Sequence, residues 1–385
     1  MHRVRHVRKH LPDKRNIASS LSMNTRELKP FELKRFPSKV LGGAFFGAFF
    51  LVIISVLLLS SCADIGDKKT ERSFFAMDTS MTITAYGSNT DAALDKAVAR
   101  TKELENLFAP SKTTSDVHRL NQAHNVPQTV SSDTFSLITQ AQAISEATRG
   151  AFDISIFPAV AAWGFDTGNH QIPSAETLKA LVKDIDYRRI ELNEATSSVA
   201  LPERAQIDLG GIAKGYTGDV LFDVLQKEGV SSAVIDLGGN VSVVGARPDG
   251  SPWKIGIQDP FDPSSHFATL SLTNGSVATA GTYERFFTDE AGNRYWHILD
   301  AKTGYPANTG LESVSVIAPQ ATRCDGLSTA LFALGLDDAL AYWRTDPSFE
   351  AVFVTTTKDV YLTEGLADVF TCTNSDSFTQ SVVNR

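Results

Sequence analysis

An α+β fold with largely antiparallel sheets flanked by helices is predicted for the folded body of this 385-residue chain. Three observations predict it. From residue 205 onward, short strand-like runs follow one another through short turns. Helical spacing is confined to a few separated stretches, so the regular alternation of strand and helix expected of a doubly wound sheet is missing. No Pro/Gly/Ser-rich linker interrupts the body, which argues for a single domain.

In chain order, Met81-Thr-Ile-Thr-Ala-Tyr86 alternates as a strand does. Leu94, Val98, Thr101, Leu104 and Phe108 recur at helical spacing within 90–109, and Leu137, Ala141, Ile144 and Ala147 within 133–148. Strands are expected at 205–209, 232–237, 241–246, 253–258, 267–273, 276–280, 294–299, 313–318, 351–356 and 359–363. Helices are expected at 212–228, 322–335 and 336–344. The body spans 74–370, with a polar tether over 62–73 and a tail over 371–385.

Residues 1–61 stand apart. A basic leader, Met1–Lys39, carries 11 basic and 3 acidic residues and precedes the uncharged run Val40–Leu59. That run ends at Leu59-Ser60-Ser61-Cys62, which resembles a bacterial lipoprotein signal with Cys62 as the lipid acceptor. An uncleaved membrane anchor is the alternative. Either arrangement leaves the body on the extracytoplasmic side, and a lipid anchor would hold it at the periplasmic face of the bacterial inner membrane. Met23 offers a second start. The net charge of −8 hides 25 basic and 41 acidic residues from Cys62 onward, which argues against a nucleic-acid surface. Twenty-three Phe and only three Cys exclude disorder and a disulfide scaffold. Cys324 and Cys372 could pair, but spacing does not decide it.

Three constellations carry candidate chemistry. Ile207-Asp208-Leu209-Gly210-Gly211 recurs as Ile235-Asp236-Leu237-Gly238-Gly239. Each copy delivers an Asp at a strand end, and the first opens into a helix beginning Ile212-Ala-Lys214, where free N–H groups and a positive dipole suit phosphate. A plain strand-turn-helix corner is equally compatible. Asp325 and Thr329, four apart on one helical face, present oxygen to one point. They suit Mg²⁺ or Ca²⁺, unless Asp325 merely caps its own helix. His297, in the strand-like run Tyr295–Leu299 before a Gly/Pro turn, is placed as a base would be, or as a structural histidine.

The order of the pieces adds more. Met77-Asp78-Thr79, Glu105-Asn-Leu-Phe108, Ser115-Asp-Val-His-Arg-Leu-Asn121, Thr148-Arg-Gly-Ala-Phe-Asp153, Trp163-Gly-Phe165, Asp208-Leu-Gly-Gly-Ile-Ala-Lys-Gly-Tyr216, His297-Ile-Leu-Asp300-x-x-Thr303-Gly304 and Asp325-Gly-Leu-Ser-Thr329 follow one another. This series resembles the ApbE family of FAD:protein FMN transferases over about 74–370. The resemblance implies a Mg²⁺-dependent enzyme that moves the FMN half of FAD onto a Thr or Ser hydroxyl and releases AMP. Its acceptor would be an extracytoplasmic flavoprotein subunit of a membrane electron-transport complex.

It further implies metal ligation by the Gly211 carbonyl, Asp325 and Thr329, and FAD contacts at Met77, Ala151, Phe152, Asp153, Asp208, Lys214, Ile298 and Leu299. His297 is the candidate catalytic base. Hydrolysis of FAD to FMN and AMP, or flavin binding without chemistry, are the alternatives. Asp78 stands where the family usually has Gly, and Ser111 where it often has an aromatic residue. Gly211 and Ala301 replace a more usual Ala and Pro.

Overall fold

A computed structural model describes residues 68–385. The leader, the apolar run and Cys62 lie outside the described residues. The chain opens with β1 (Lys69–Ala76), β2 (Thr79–Tyr86), α1 (Thr90–Phe108), α2 (Asp116–Gln122), β3 (Gln128–Thr129) and α3 (Ser132–Ala147). Then come α4 (Phe157–Trp163), α5 (Ala175–Leu181), β4 (Glu191–Asn193), β5 (Ser198–Ala200) and α6 (Ala213–Lys227). The strands β6 (Ala233–Asp236), β7 (Val241–Val244), β8 (Trp253–Asp259), β9 (Asp262–Leu272), β10 (Gly275–Gly281), β11 (Phe286–Thr288), β12 (Arg294–Trp296) and β13 (Leu311–Ala318) follow. The chain ends with α7 (Ala321–Leu334), α8 (Leu336–Trp343), β14 (Glu350–Thr355), β15 (Asp359–Thr363), β16 (Phe370–Cys372) and β17 (Thr379–Val383).

The main sheet has nine strands in the order β1-β2-β6-β7-β10-β13-β14-β15-β17. Every neighbouring pair is antiparallel except β15 and β17. Alternation along β13 assigns its two faces. Val314 and Val316 turn to the helices and pack in one cluster with Leu327 and Leu331 of α7. Ile317 turns the other way and joins Ile255, Phe267 and Leu270 of the three-stranded sheet β16-β9-β8. The main sheet is thus covered by helices on one face and by a small sheet on the other, in keeping with α+β architecture.

Two helices from distant parts of the sequence meet at the site and terminate each other. Asp219 of α6 accepts the backbone N–H groups of Ala321 (2.7 Å) and Thr322 (2.9 Å) at the start of α7. Asp325 of α7 accepts the N–H of Gly215 (2.8 Å) in the first turn of α6. Gly215 permits the approach, since a β-carbon there would overlap the side chain of Asp325 and the backbone of Ala321. Such exchanged caps satisfy N–H groups that a helix start leaves without partners.

Some elements differ from expectation. The segment 205–209 joins no sheet; Gln206 makes one isolated bridge to Ile156. The backbone of Ile207 is instead claimed by the amide of Asn121, which accepts from Ile207 N at 2.7 Å and donates to Ile207 O at 2.9 Å. The supposed tether contains most of β1, because an edge strand with only Thr70 and Ala76 buried shows no apolar alternation. The supposed tail supplies most of β16 and all of β17, the latter an exposed edge strand without a hydrophobic pattern. Cys324 and Cys372 are free thiols, the first buried in α7 and the second on β16, so the pairing that spacing left open is not made.

Candidate active site

A cavity of about 500 Å³ opens where the β1–β2 turn, the loop after α1, the 151–157 segment, the start of α6, the end of β10, the β12–β13 connection and α7 converge. All twelve residues expected to bind metal or flavin or to act as base line it: Met77, Ala151, Phe152, Asp153, Asp208, Gly211, Lys214, His297, Ile298, Leu299, Asp325 and Thr329. They come from five separate segments of the chain. Their convergence is a property of the fold, which sequence spacing does not contain.

Met77 and Asp78 form the two-residue loop between β1 and β2, with φ of 48° and 59°. Both therefore occupy the left-handed region that a primed hairpin turn requires. That explains why Gly is natural at 78, and Asp is among the few other residues that tolerate the conformation. Glu105 holds the turn down by accepting Met77 N–H at 3.0 Å and pairs with Lys112 at 3.2 Å.

The side chain of Asp153 is already committed. One oxygen accepts from Ser155 N (2.9 Å) and Ser155 Oγ (2.6 Å), and the other from Tyr187 N (2.9 Å). Burial pushes its carboxyl upward while these donors oppose the shift. Asp153 thus braces the loop that carries Ala151 and Phe152. Burial also raises Asp208, against the pull of the Gly210 N–H and the Arg285 cation.

The first turn of α6 departs from the phosphate cradle expected of it. Ile212 N and Ala213 N both bond to Leu209 O, at 3.0 and 2.8 Å, and Gly215 N is taken by Asp325. These N–H groups are spent within the protein, which leaves the Lys214 ammonium as the cation this helix start offers. The second Ile-Asp-Leu-Gly-Gly copy is a turn: Asp236 Oδ1 accepts from Gly238 N (3.0 Å) and Gly239 N (3.1 Å).

Asp325 is the fifth residue of α7 and does not cap its own helix. With Oδ2 on Gly215, its Oδ1 takes no hydrogen bond from any described residue. Thr329 lies one turn on, and a β-carbon at Gly211 would stand 3.7 Å from its hydroxyl oxygen. The Asp325 carboxylate and the Thr329 hydroxyl therefore share one wall of the cavity with the backbone of Gly211, and oxygen donors of this kind suit a hard cation with water or phosphate completing its shell. Among the described residues, no cluster of three or more His, Cys, Asp or Glu side chains could hold a metal.

His297 donates its backbone N–H to Arg285 O at 3.0 Å, and its Nδ1 lies 3.2 Å from the same oxygen. A carbonyl only accepts, so Nδ1 carries the ring proton and Nε2 has the free lone pair. Burial drives the ring down to about 4, with the Arg285 and Lys214 cations adding to the effect. The imidazole is accordingly neutral at physiological pH. Phe165 meets the ring edge-on with centroids 6.5 Å apart. Phe165 itself belongs to an aromatic cluster with Trp163, His170 and Phe287.

The sequence did not single out Arg285 or Glu284 as site residues. Both line the cavity beside His297 and Lys214. They have no motif spacing, since the β11–β12 hairpin alone brings residue 285 against 297. Ser111 lines the cavity as expected, and the aromatic surface comes from Phe108, Phe152, Phe157 and Phe165.

The family model for the ApbE family matches residues 77–353. The FAD:protein FMN transferase of Klebsiella pneumoniae (strain 342) is 36% identical over 278 residues, covering 71% of this chain and 86% of that protein. That of Treponema pallidum (strain Nichols) is 33% identical over 294 residues, covering 72% and 81%. The crystal structure of the ApbE protein from Thermotoga maritima superposes with a TM-score of 0.73 at 32% identity, covering 77% of this chain and 98% of that one. The apo flavinyl transferase ApbE of Pseudomonas stutzeri gives 0.69 at 27% identity, covering 83% and 99%.

Proposed function

Since the chain belongs to the ApbE family, we propose that it is an enzyme that transfers the FMN half of FAD to a Thr or Ser hydroxyl of an extracytoplasmic flavoprotein subunit, with Mg²⁺, and releases AMP. One observation carries the reading. A single cavity collects three neutral or anionic oxygen donors, the Lys214 cation and a neutral imidazole with a free Nε2.

The acceptor hydroxyl attacks the phosphorus nearest the flavin. A new P–O bond forms to the acceptor as the bridging P–O bond breaks, and AMP departs with the electron pair. The hydroxyl proton passes to Nε2 of His297, a general-base role that requires the neutral ring. Gly211 O, Asp325 and Thr329 would hold Mg²⁺, which when bound neutralises diphosphate charge and makes the phosphorus easier to attack. Lys214 adds a second positive charge at the phosphates. Phe108, Phe152, Phe157 and Phe165 offer apolar surface to the rings. Cys62 is the proposed lipid attachment point, holding the enzyme at the periplasmic face of the inner membrane.

Hydrolysis to FMN and AMP is the second reading, favoured by Ser111 in a loop that brings no aromatic ring of its own. Incubation with FAD and Mg²⁺, with and without an acceptor domain bearing a Ser/Thr-Gly-Ala-Ser/Thr segment, separates them. AMP release together with covalent flavin on the acceptor supports transfer. AMP with free FMN only supports hydrolysis, and no AMP under either condition removes both.

A further inference from the structure

A second cavity, of about 360 Å³, adjoins the first and is lined by Asp78, Phe165, Gly168, His170, Glu284, Arg285 and Phe286. Four of these residues, Asp78, Phe165, Glu284 and Arg285, also line the flavin cavity, so they form a common threshold. Gly168, His170 and Phe286 belong to the outer cavity alone. The threshold touches the base on two sides. Phe165 meets the His297 ring edge-on, and the Arg285 carbonyl holds its Nδ1.

Resting on the transferase reading, we propose that this outer cavity is where the acceptor protein docks, through an extended segment of small residues that carries the hydroxyl. The reaction needs a second substrate to bring an oxygen to His297 while FAD fills the inner cavity. A route that crosses the threshold between Phe165 and Arg285 leads directly to the base. A cavity of this size takes a single extended segment of chain, and Phe165 and Phe286 in its wall favour small side chains there.

The outer wall also suits an extended chain. β11 pairs with β12 along one edge only, and its other edge has no strand partner among the described residues. Free backbone groups of this kind take an added strand, while adjacent side chains supply selectivity. Phe286, at the start of β11, is 44% exposed and carries Arg294 over its ring at 4.1 Å. His170 stacks on Phe287 with centroids 4.8 Å apart and planes 7° from parallel. Phe165, Phe286 and the His170 ring backed by Phe287 thus give the cavity aromatic walls, which recognise shape at small entropic cost.

The test uses His170→Ala and Phe286→Ala in the full protein, with FAD, Mg²⁺ and an acceptor domain bearing the Ser/Thr-Gly-Ala-Ser/Thr segment. The expected result is a KM for the acceptor raised at least about tenfold in each variant. FAD affinity by flavin fluorescence and the melting temperature should remain close to those of the unaltered enzyme. An unchanged acceptor KM in both variants overturns the docking site alone, and so does an FAD affinity that falls in step with acceptor use. Failure of the unaltered enzyme to attach FMN overturns the transferase reading and the docking site with it.

Discussion

Asp325 Oδ2 accepts the backbone N–H of Gly215 at 2.8 Å, so a carboxylate near the start of one helix caps the first turn of another while its second oxygen stays unbonded. Capping and ligation thus coexist in one side chain and can be separated by substitution. Asp325→Asn keeps an oxygen for Gly215 but removes the charge, and it should fold with little loss of stability yet lose most turnover. Asp325→Ala should lose turnover and also about 0.5–2 kcal/mol of stability, the usual worth of a cap. Thermal melts beside AMP release check both. Full turnover in folded Asp325→Asn would sink the ligand role.

His297 predicts a rate effect and a stability effect. As general base, His297→Ala should slow transfer by roughly 10²–10⁴-fold with FAD affinity nearly unchanged. Its folded value, about 4, lies below the ordinary 6.5. Between these values the unfolded chain binds more protons, so stability is full above about 6.5 and declines as pH falls toward 4. The melting temperature of the unaltered protein should therefore drop further between pH 7 and 5 than that of His297→Ala. The buried Asp153, Asp208 and Asp219 are common to both proteins and cancel. The negative phosphates of bound FAD should move the acidic limb of kcat above that of kcat/KM.

Asn121 tests how the inner wall is held. Its amide serves both backbone groups of buried Ile207. Asn121→Ala strands a buried donor and acceptor, each costing about 1–3 kcal/mol. Because Asp208 follows directly, FAD affinity should fall along with the melting temperature. Urea titration and flavin fluorescence measure the pair, and an unmoved melting temperature would refute the clamp.

The same residue shows why the sequence was legible only in part. Helices of three or more turns, such as α1 and α3, announce themselves because Leu104, Phe108, Leu137 and Ile144 must face one core. The helices α2, α4 and α5 have seven residues each, too few for a period to emerge. Ile207 alternates like a strand residue, yet a side chain 86 positions away supplies its partners. Motif residues were visible by type, but their use was not: Asp153 spends one oxygen on Ser155 and the other on the distant Tyr187 N–H, and the N–H groups of Ile212, Ala213 and Gly215 are consumed internally. Arg285 acts through its backbone carbonyl, and a carbonyl has no residue signature.

The anchor lies outside the described residues and is tested by processing. Cys62 follows small residues at the end of an uncharged run, so Cys62→Ser should leave a heavier, unprocessed and unlipidated precursor. Equal processing of both chains, seen by intact mass, would favour a plain membrane anchor.

Asp78 separates conformation from charge. Its φ of 59° places it in the left-handed half of the hairpin loop, and it lines the cavity proposed for a diphosphate. Asp78→Gly relieves the backbone and removes a negative charge, whereas Asp78→Ala removes the charge but puts an unsuited residue at positive φ. If charge governs FAD binding, both variants should lower the KM for FAD, with the gain shrinking as salt screens the phosphates. Only Ala should also lower the melting temperature, by an amount corresponding to about 1 kcal/mol. If the turn geometry governs binding instead, Gly should leave KM unchanged and Ala should raise it. Measuring KM for FAD at two ionic strengths in both variants decides between the two, and an Ala variant with a raised KM would show that the carboxylate does not repel the substrate.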